Sequence, residues 1–244
     1  MNEVDIIKWD REGDIGFLSI YNGKGNYLDT PDFISLDQLK NWTSEDGLKG
    51  IIIHGVGRNF SAGANTKKLV ELSMNKDLLS QKMNEGKKIL DYIEDLNIPV
   101  IAAINGVCFG GGLEIALAAH MRVASTKALL AFPEINHGII PGLGGVYRLS
   151  ELVHKGSYEI LLNGDMLSAE KAKEIGLVDY VSEEKNAIGL AKEKLDNMVK
   201  DRSIEVIQSV MQSIRNSKSL DKDDALKAET ELFCKLAVNV KTLQ

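Results

Sequence analysis

The chain has 244 residues, 44% apolar and 26% charged, and its 29 basic and 35 acidic side chains give a formal net charge of −6. That length fits one α/β domain with at most a helical appendage, and the composition is too apolar for a disordered chain. A mildly acidic protein without a Lys/Arg stripe lacks the field that attracts nucleic acid or anionic membranes, so neither is an expected partner.

In chain order, Met1–Asp14 carries five acidic residues and no apolar segment, so it does not read as a signal peptide. Residues 3–9 and 14–20 alternate loosely around Asp10-Arg11-Glu12-Gly13, which predicts a hairpin turning there. Gly50–Gly55, Pro99–Ile104 and Leu177–Val181 are short apolar runs that predict strands buried on both faces. Between the first two, residues 66–96 carry leucines at three- or four-residue steps, interrupted by a polar stretch at 80–88 where two helices could part. The most apolar segment, 98–119, holds Asn105, Glu114 and several glycines, and so does not read as a membrane span. Alternating strand and helix predict βα units and a largely parallel sheet. From residue 184 onward the pattern is helical, with breaks near Asp201 and Lys218. The expected division is a core of residues 1–183 and a helical region of 184–244. Cys108 and Cys234 form no disulfide framework, which places the protein in a reducing cytoplasm.

The residues with chemical promise sit in two loops, each following a buried strand. The first is Asn59-Phe-Ser-Ala-Gly-Ala-Asn65. The second runs from Asn105 through Gly110-Gly111-Gly112 to Glu114 and opens an Ala/Leu-rich helix. Neither has the spacing of a dinucleotide fingerprint or a P-loop, and Ser61 lacks the first glycine of a nucleophile elbow. His54, His120, His137 and His154 show no metal spacing, and no metal or bound cofactor is expected.

Three successive glycines at a strand-to-helix junction serve either close packing or the close approach of a ligand to the backbone. A peptide N–H at such a helix start is unpaired and feels the positive end of the helix dipole, which suits a developing oxyanion. The small-residue loop at 61–64 can supply a second N–H to the same oxygen. Glu114 and Glu134 stand among apolar neighbours. Each is either helix-dipole decoration or a carboxyl whose pKa a dry pocket raises toward neutrality, fit for proton transfer.

Together these segments resemble the enoyl-CoA hydratase/isomerase (crotonase) family. The matching pieces, in order, are Phe60–Ala64, Ala103–Gly106 with Gly110–Glu114, Phe132–Glu134, Gly138–Gly145 with Arg148-Leu149, and Gly176–Val178. The resemblance implies a crotonase-like α/β fold of repeated ββα units in a spiral sheet, followed by a C-terminal helical oligomerisation region that builds trimers or hexamers. It also implies that the N–H groups of Ala64 and Gly111 hold a thioester carbonyl. Glu114 would orient the attacking water, and Glu134 would exchange a proton between water and C2. Ala62 would line the adenine pocket, Lys67 would approach the CoA phosphates, and Gly142 would start a helix aimed at the acyl group. Coenzyme A enters as part of the substrate. The implied activity is hydration of a 2-enoyl thioester. The alternative is a specialised-pathway crotonase, an isomerase, dehydratase or decarboxylase, acting on a CoA ester or on a chain carried by an acyl carrier protein.

Several positions depart from the family pattern. Asn65 stands where aspartate is usual, Ala119-His120 replaces Cys-Asp, and His137 takes a usually apolar place. Val146-Tyr147 replaces Thr-Gln, so that Tyr147 would lie in the core or in the acyl-pocket wall. The chain ends at Gln244 without the usual last helix, which suggests a more open acyl pocket, a bulky acyl group, or an acyl chain delivered on a carrier protein. One branch of the family binds RNA, a role the net charge disfavours.

Overall fold

A two-residue turn, Gly13-Asp14, closes the first hairpin of the computed structural model, which describes residues 6–183 and 186–238. Gly13 takes the positive φ of 60° that such turns favour. Strands β1 (Ile7–Glu12) and β2 (Ile15–Ile20) pair antiparallel, with Glu12 opposite Ile15. The turn therefore falls later than the expected Asp10–Gly13. Asp10 and Glu12 continue β1 because it is an edge strand that exposes every second side chain to water. Residues 3–5 of the expected strand lie outside the described residues.

The chain continues through α1 (Leu36–Thr43), β3 (Gly50–Gly55), α2 (Thr66–Ser73), α3 (Lys76–Glu94), β4 (Val100–Ile104), β5 (Val107–Phe109), α4 (Gly111–Ala118), β6 (Met121–Ser125) and β7 (Leu129–Ala131). A 3₁₀ helix, Pro133–His137, is followed by α5 (Gly145–Val153), α6 (Gly156–Asn163), β8 (Leu167–Ser168), α7 (Ala169–Glu174) and β9 (Tyr180–Ser182). Three helices end the described chain: α8 (Ala187–Val199), α9 (Ile204–Ser219) and α10 (Lys222–Ala237).

The main sheet has the order β1-β2-β3-β4-β6-β9 and is parallel from β2 onward. A second sheet, β5-β7-β8, takes the chain directly from the carboxyl ends of β4 and β6. Gly106, at φ 55°, makes the first of these exits. The result is the expected α/β architecture of repeated ββα units.

Two boundaries differ from expectation. The 66–96 helix breaks at Met74-Asn75, where the Asn75 side chain accepts the Leu78 N–H at 3.0 Å and caps α3. The polar residues at 80–88 instead lie along α3, which buries Gly86, Ile89, Leu90 and Ile93 on its other side. The third apolar run also shifts. Leu177 and Val178 are buried in a turn, both N–H groups donating to Ala172 O, and the strand begins at Tyr180.

The two faces of the main sheet bury separate apolar clusters. One face packs α1, α3 and α4 around Leu18, Ile51, Ile53, Val100 and Ala102. The other buries Phe17, Ile52, Ile101 and Val123 under α8, which lays Ala187, Ala191, Leu195 and Val199 at four-residue steps against them. The helix just after residue 183 is thus a layer of the core. By contrast α9 buries only Ile207 and α10 buries none of its described side chains. No described helix is long and apolar enough to cross a membrane. Leu195→Ala should cost about 2–5 kcal/mol, the range for emptying a well-packed leucine site. A urea midpoint equal to that of the parent protein would show that α8 does not hold the sheet face.

Candidate active site

The two glycine-rich loops run side by side as a parallel ribbon. Ser61 pairs with Cys108: the Ser61 N–H donates to Val107 O at 3.1 Å, and the Phe109 N–H donates to Ser61 O at 2.9 Å. Three residues further along each loop stand Ala64 and Gly111. On the far side of the first loop, the Leu28 N–H donates to Gly63 O and the Asn65 N–H donates to Leu28 O, a parallel bridge centred on Ala64. In that pattern the N–H of Ala64 itself points away from Leu28. Gly111 is the first residue of α4, so its N–H has no acceptor within the helix. Among the described residues, neither N–H donates to a protein acceptor.

The glycine triplet has distinct causes. At Gly110, φ is 50°, and an added Cβ would stand 2.7 Å from Glu134 Oε1. At Gly112 it would stand 2.7 Å from Ser61 Cβ. Gly111 is different, for there a Cβ would meet only the tip of Leu28 at 3.0 Å. Close packing accounts for the outer two glycines, and the middle one leaves its N–H approachable.

Glu114 lies in the first turn of α4 and is only 2% exposed. Its Oε1 accepts the Leu143 N–H at 2.6 Å and the Gly145 N–H at 2.8 Å, so the carboxyl caps the amino end of α5. Burial raises its pKa, while these N–H groups and the positive charge of Arg148 pull against that rise. Glu134, in the 3₁₀ helix, lies against Gly110. Its Oε2 is buried and has no hydrogen-bond partner among the described residues. Burial, with the negative charge of Glu114 adding to it, lifts the Glu134 pKa to about 7. The two carboxyls thus lie close enough to feel each other's charge, and Glu134 lies against Gly110, the residue before the free amide of Gly111.

The other expected site residues are placed less uniformly. Ala62 is half-buried and its N–H donates to Gly25 O at 2.8 Å. Lys67 is exposed in the first turn of α2, which Asn65 caps while also donating to Asp29 Oδ1 at 2.9 Å. Gly142 does not start a helix: α5 begins at Gly145, after Gly144 at φ 95°. The Gly142 N–H adds instead to the polar turn around Glu114. Tyr147 is 68% exposed and so is not core, because α5 buries the opposite side through Arg148 and Leu149. His120 accepts the Val100 N–H through Nδ1 and donates from Nε2 to Glu94 O, a structural role that burial keeps neutral. His137 is exposed. Among the described residues no three His, Cys, Asp or Glu side chains gather as a metal site.

Two further residues contribute to the site, although the sequence pattern assigns neither a role there. Arg148, 7% exposed, donates to Leu143 O at 3.0 Å, to Glu94 at 2.8 Å and to Asp91 at 2.6 Å, clipping α3 to the turn that holds Glu114. An arginine on the apolar side of α5 was the available signal. Met83 on α3 lies against Gly142, where an added Cβ would overlap its methyl. Nothing in the local pattern distinguished it from an ordinary helix residue.

The chain matches the model of the enoyl-CoA hydratase/isomerase family over residues 34–242. A probable enoyl-CoA hydratase of Bacillus subtilis is 33% identical over 90% of this chain and 85% of its own length. A short-chain-enoyl-CoA hydratase of Clostridium acetobutylicum is 32% identical over 95% of this chain and 89% of its own. The crystal structure of an enoyl-CoA hydratase from Bacillus anthracis shares a TM-score of 0.85 at 28% identity, covering 97% of this chain and 92% of that one. The chain therefore belongs to the enoyl-CoA hydratase/isomerase family. It has the crotonase fold and is an enzyme of the hydratase/isomerase type.

The raised pKa of Glu134 carries a cost in stability. Between the ordinary value of 4.5 and about 7 the folded chain holds a proton that the unfolded chain has lost, so stability falls as pH rises through that window. Glu134→Gln removes the cost. At pH 8 the variant should be more stable than the parent by on the order of 1–2 kcal/mol, allowing for partial solvent screening. Thermal melts at pH 5 and pH 8 check this, and a difference that does not grow with pH contradicts it.

Proposed function

We propose that the protein adds water across the double bond of 2-enoyl-CoA thioesters. The observation that carries this reading is the buried, unpartnered Oε2 of Glu134, held one residue from the free N–H of Gly111. An acid half-neutral near pH 7 beside an oxyanion site is poised to pass a proton to the carbon next to the thioester.

The thioester oxygen sits between the N–H groups of Ala64 and Gly111. As water adds at C3, negative charge moves onto that oxygen and the intermediate becomes enolate-like. One such donor contributes about 2.7–4 kcal/mol to lowering the barrier. Glu114 has Oε1 tied to α5, which leaves Oε2 to orient the attacking water. Glu134 exchanges a proton between water and C2. Two buried acids favour hydration, because a double-bond shift needs only one proton carrier. No observation favours the dehydratase or decarboxylase alternative.

Ala62 and Lys67 serve the nucleotide end of coenzyme A in this reading, with Lys67 meeting phosphate, while Gly142 lines the acyl end. No separate cofactor takes part. Coenzyme A rather than a carrier protein bears the acyl chain. The free cysteines, Cys108 buried and Cys234 exposed, fit the reducing cytoplasm as the location. We further propose a homotrimer or hexamer built through residues 184–244. Val206, Val210, Ile214, Leu226 and Phe233 on α9 and α10 are exposed in the single chain, which supports burial against another copy. The expectation of an opened acyl pocket rests on the chain end, and residues 239–244 lie outside the described residues.

Glu114→Gln and Glu134→Gln should each lower hydration of crotonyl-CoA by roughly a hundredfold or more. For the parent enzyme, hydration kcat/KM should fall as pH rises past about 7, where Glu134 loses its proton. Near-normal turnover by either variant would refute the two-acid assignment. Lys67→Ala should raise KM for the CoA ester several-fold with kcat little changed, and added salt should shrink the difference. An effect confined to kcat would remove Lys67 from the phosphate end.

A further inference from the structure

We infer that Met83 closes the far end of the acyl pocket and sets the acyl length the enzyme accepts. The inference rests on the hydratase reading above. An acyl chain with its carbonyl oxygen at Ala64 and Gly111, and with C2 and C3 beside Glu114 and Glu134, extends toward the turn that carries the N–H partners of Glu114. That turn is Gly142-Leu143-Gly144. The Met83 methyl already occupies the space in front of Gly142 that a side chain there would fill.

The backbone of α3 is anchored beside this turn by close packing and ion pairs. Gly86 lies three residues beyond Met83, on the same side of the helix. A Cβ at Gly86 would stand 2.5 Å from Pro31 O and 2.8 Å from Leu143 Cδ2, so on this side the helix backbone packs directly against both segments. Next to Met83, Lys82 is tied to Asp32 at 2.5 Å. Toward the other end, Arg148 holds Asp91 and Glu94. What stays free to move is the Met83 side chain itself, an unbranched thioether with three rotatable bonds. A short acyl group ends against the methyl, whereas a longer one must displace it from its packing on Gly142.

The test compares kcat/KM for crotonyl-, hexenoyl-, octenoyl- and decenoyl-CoA in the parent, Met83→Ala and Met83→Phe. In Met83→Ala the ratio of octenoyl- to crotonyl-CoA should rise by roughly tenfold or more, the scale set by one or two methylene contacts in an apolar pocket. In Met83→Phe the same ratio should fall. If both variants hydrate crotonyl-CoA and neither ratio moves, Met83 does not set the length and the hydratase reading stands. If the parent hydrates none of the esters, the hydratase reading fails and the inference falls with it.

Discussion

One buried carboxylate holds the site together. Glu114 reaches from α4 to the Leu143 and Gly145 N–H groups, and those groups are fixed in turn by Arg148, which also grips Asp91 and Glu94 of α3. Three elements distant in sequence thus share one polar junction in an otherwise apolar core. A charge that deep is tolerable only when hydrogen-bonded, and losing a partner from such a network typically costs several kcal/mol. The demand that Glu114 be satisfied therefore dictates where α5 begins. It explains why α5 opens on glycine at 145, since an amide can crowd a carboxyl only where a side chain does not intervene. At Gly145 a Cβ would stand 2.9 Å from Glu114 Oε1.

That junction also separates the two acids chemically. Glu114 is buried more deeply, and amides and an arginine counter part of the rise that its desolvation causes. Glu134 is less buried, but its Oε2 has no protein donor and the charge of Glu114 opposes its ionisation. Environment rather than residue type divides the labour, one carboxyl fixed as an acceptor and the other able to gain and lose a proton near neutral pH. The pocket keeps Glu134 available at the expense of stability, because a hydrogen bond that would stabilise it would also occupy the oxygen that transfers the proton.

Much of this was legible in the chain. Gly50–Gly55 and Pro99–Ile104 read as buried strands because a parallel sheet covered on both faces tolerates only continuous apolar runs. The loops at 59–65 and 105–114 stood out because small residues clustered beside acids have few structural uses. What stayed hidden depended on distant contacts. The β1 turn slipped to Gly13-Asp14 because edge-strand exposure tolerates Asp10 and Glu12, which local propensity assigns to a turn. Asn75 is one polar residue among many near the end of α2, and its capping role appears only with α3 in place. Leu177 and Val178 have strand composition, yet Ala172 O takes both of their N–H groups. Met83 and Arg148 were hidden for the same reason, since their partners lie some sixty residues away or at the other end of a helix.

The glycine triplet shows how packing and chemistry can be read apart. Had all three glycines been needed for close packing, the loop would be fully explained by the meeting of two strands and a helix. Gly110 and Gly112 are explained in that way, by Glu134 and by Ser61. Gly111 is not, because a methyl there would press only on the flexible end of Leu28. Its lack of a side chain matters for what comes to its amide from outside the protein. The same contrast holds across the ribbon, where Gly63 packs on Phe109 while the exposed Ala64 leaves its N–H without an acceptor. In each loop the packed glycine fixes the backbone and the next residue presents the amide, so the precision of the site derives from the part of the loop that binds nothing.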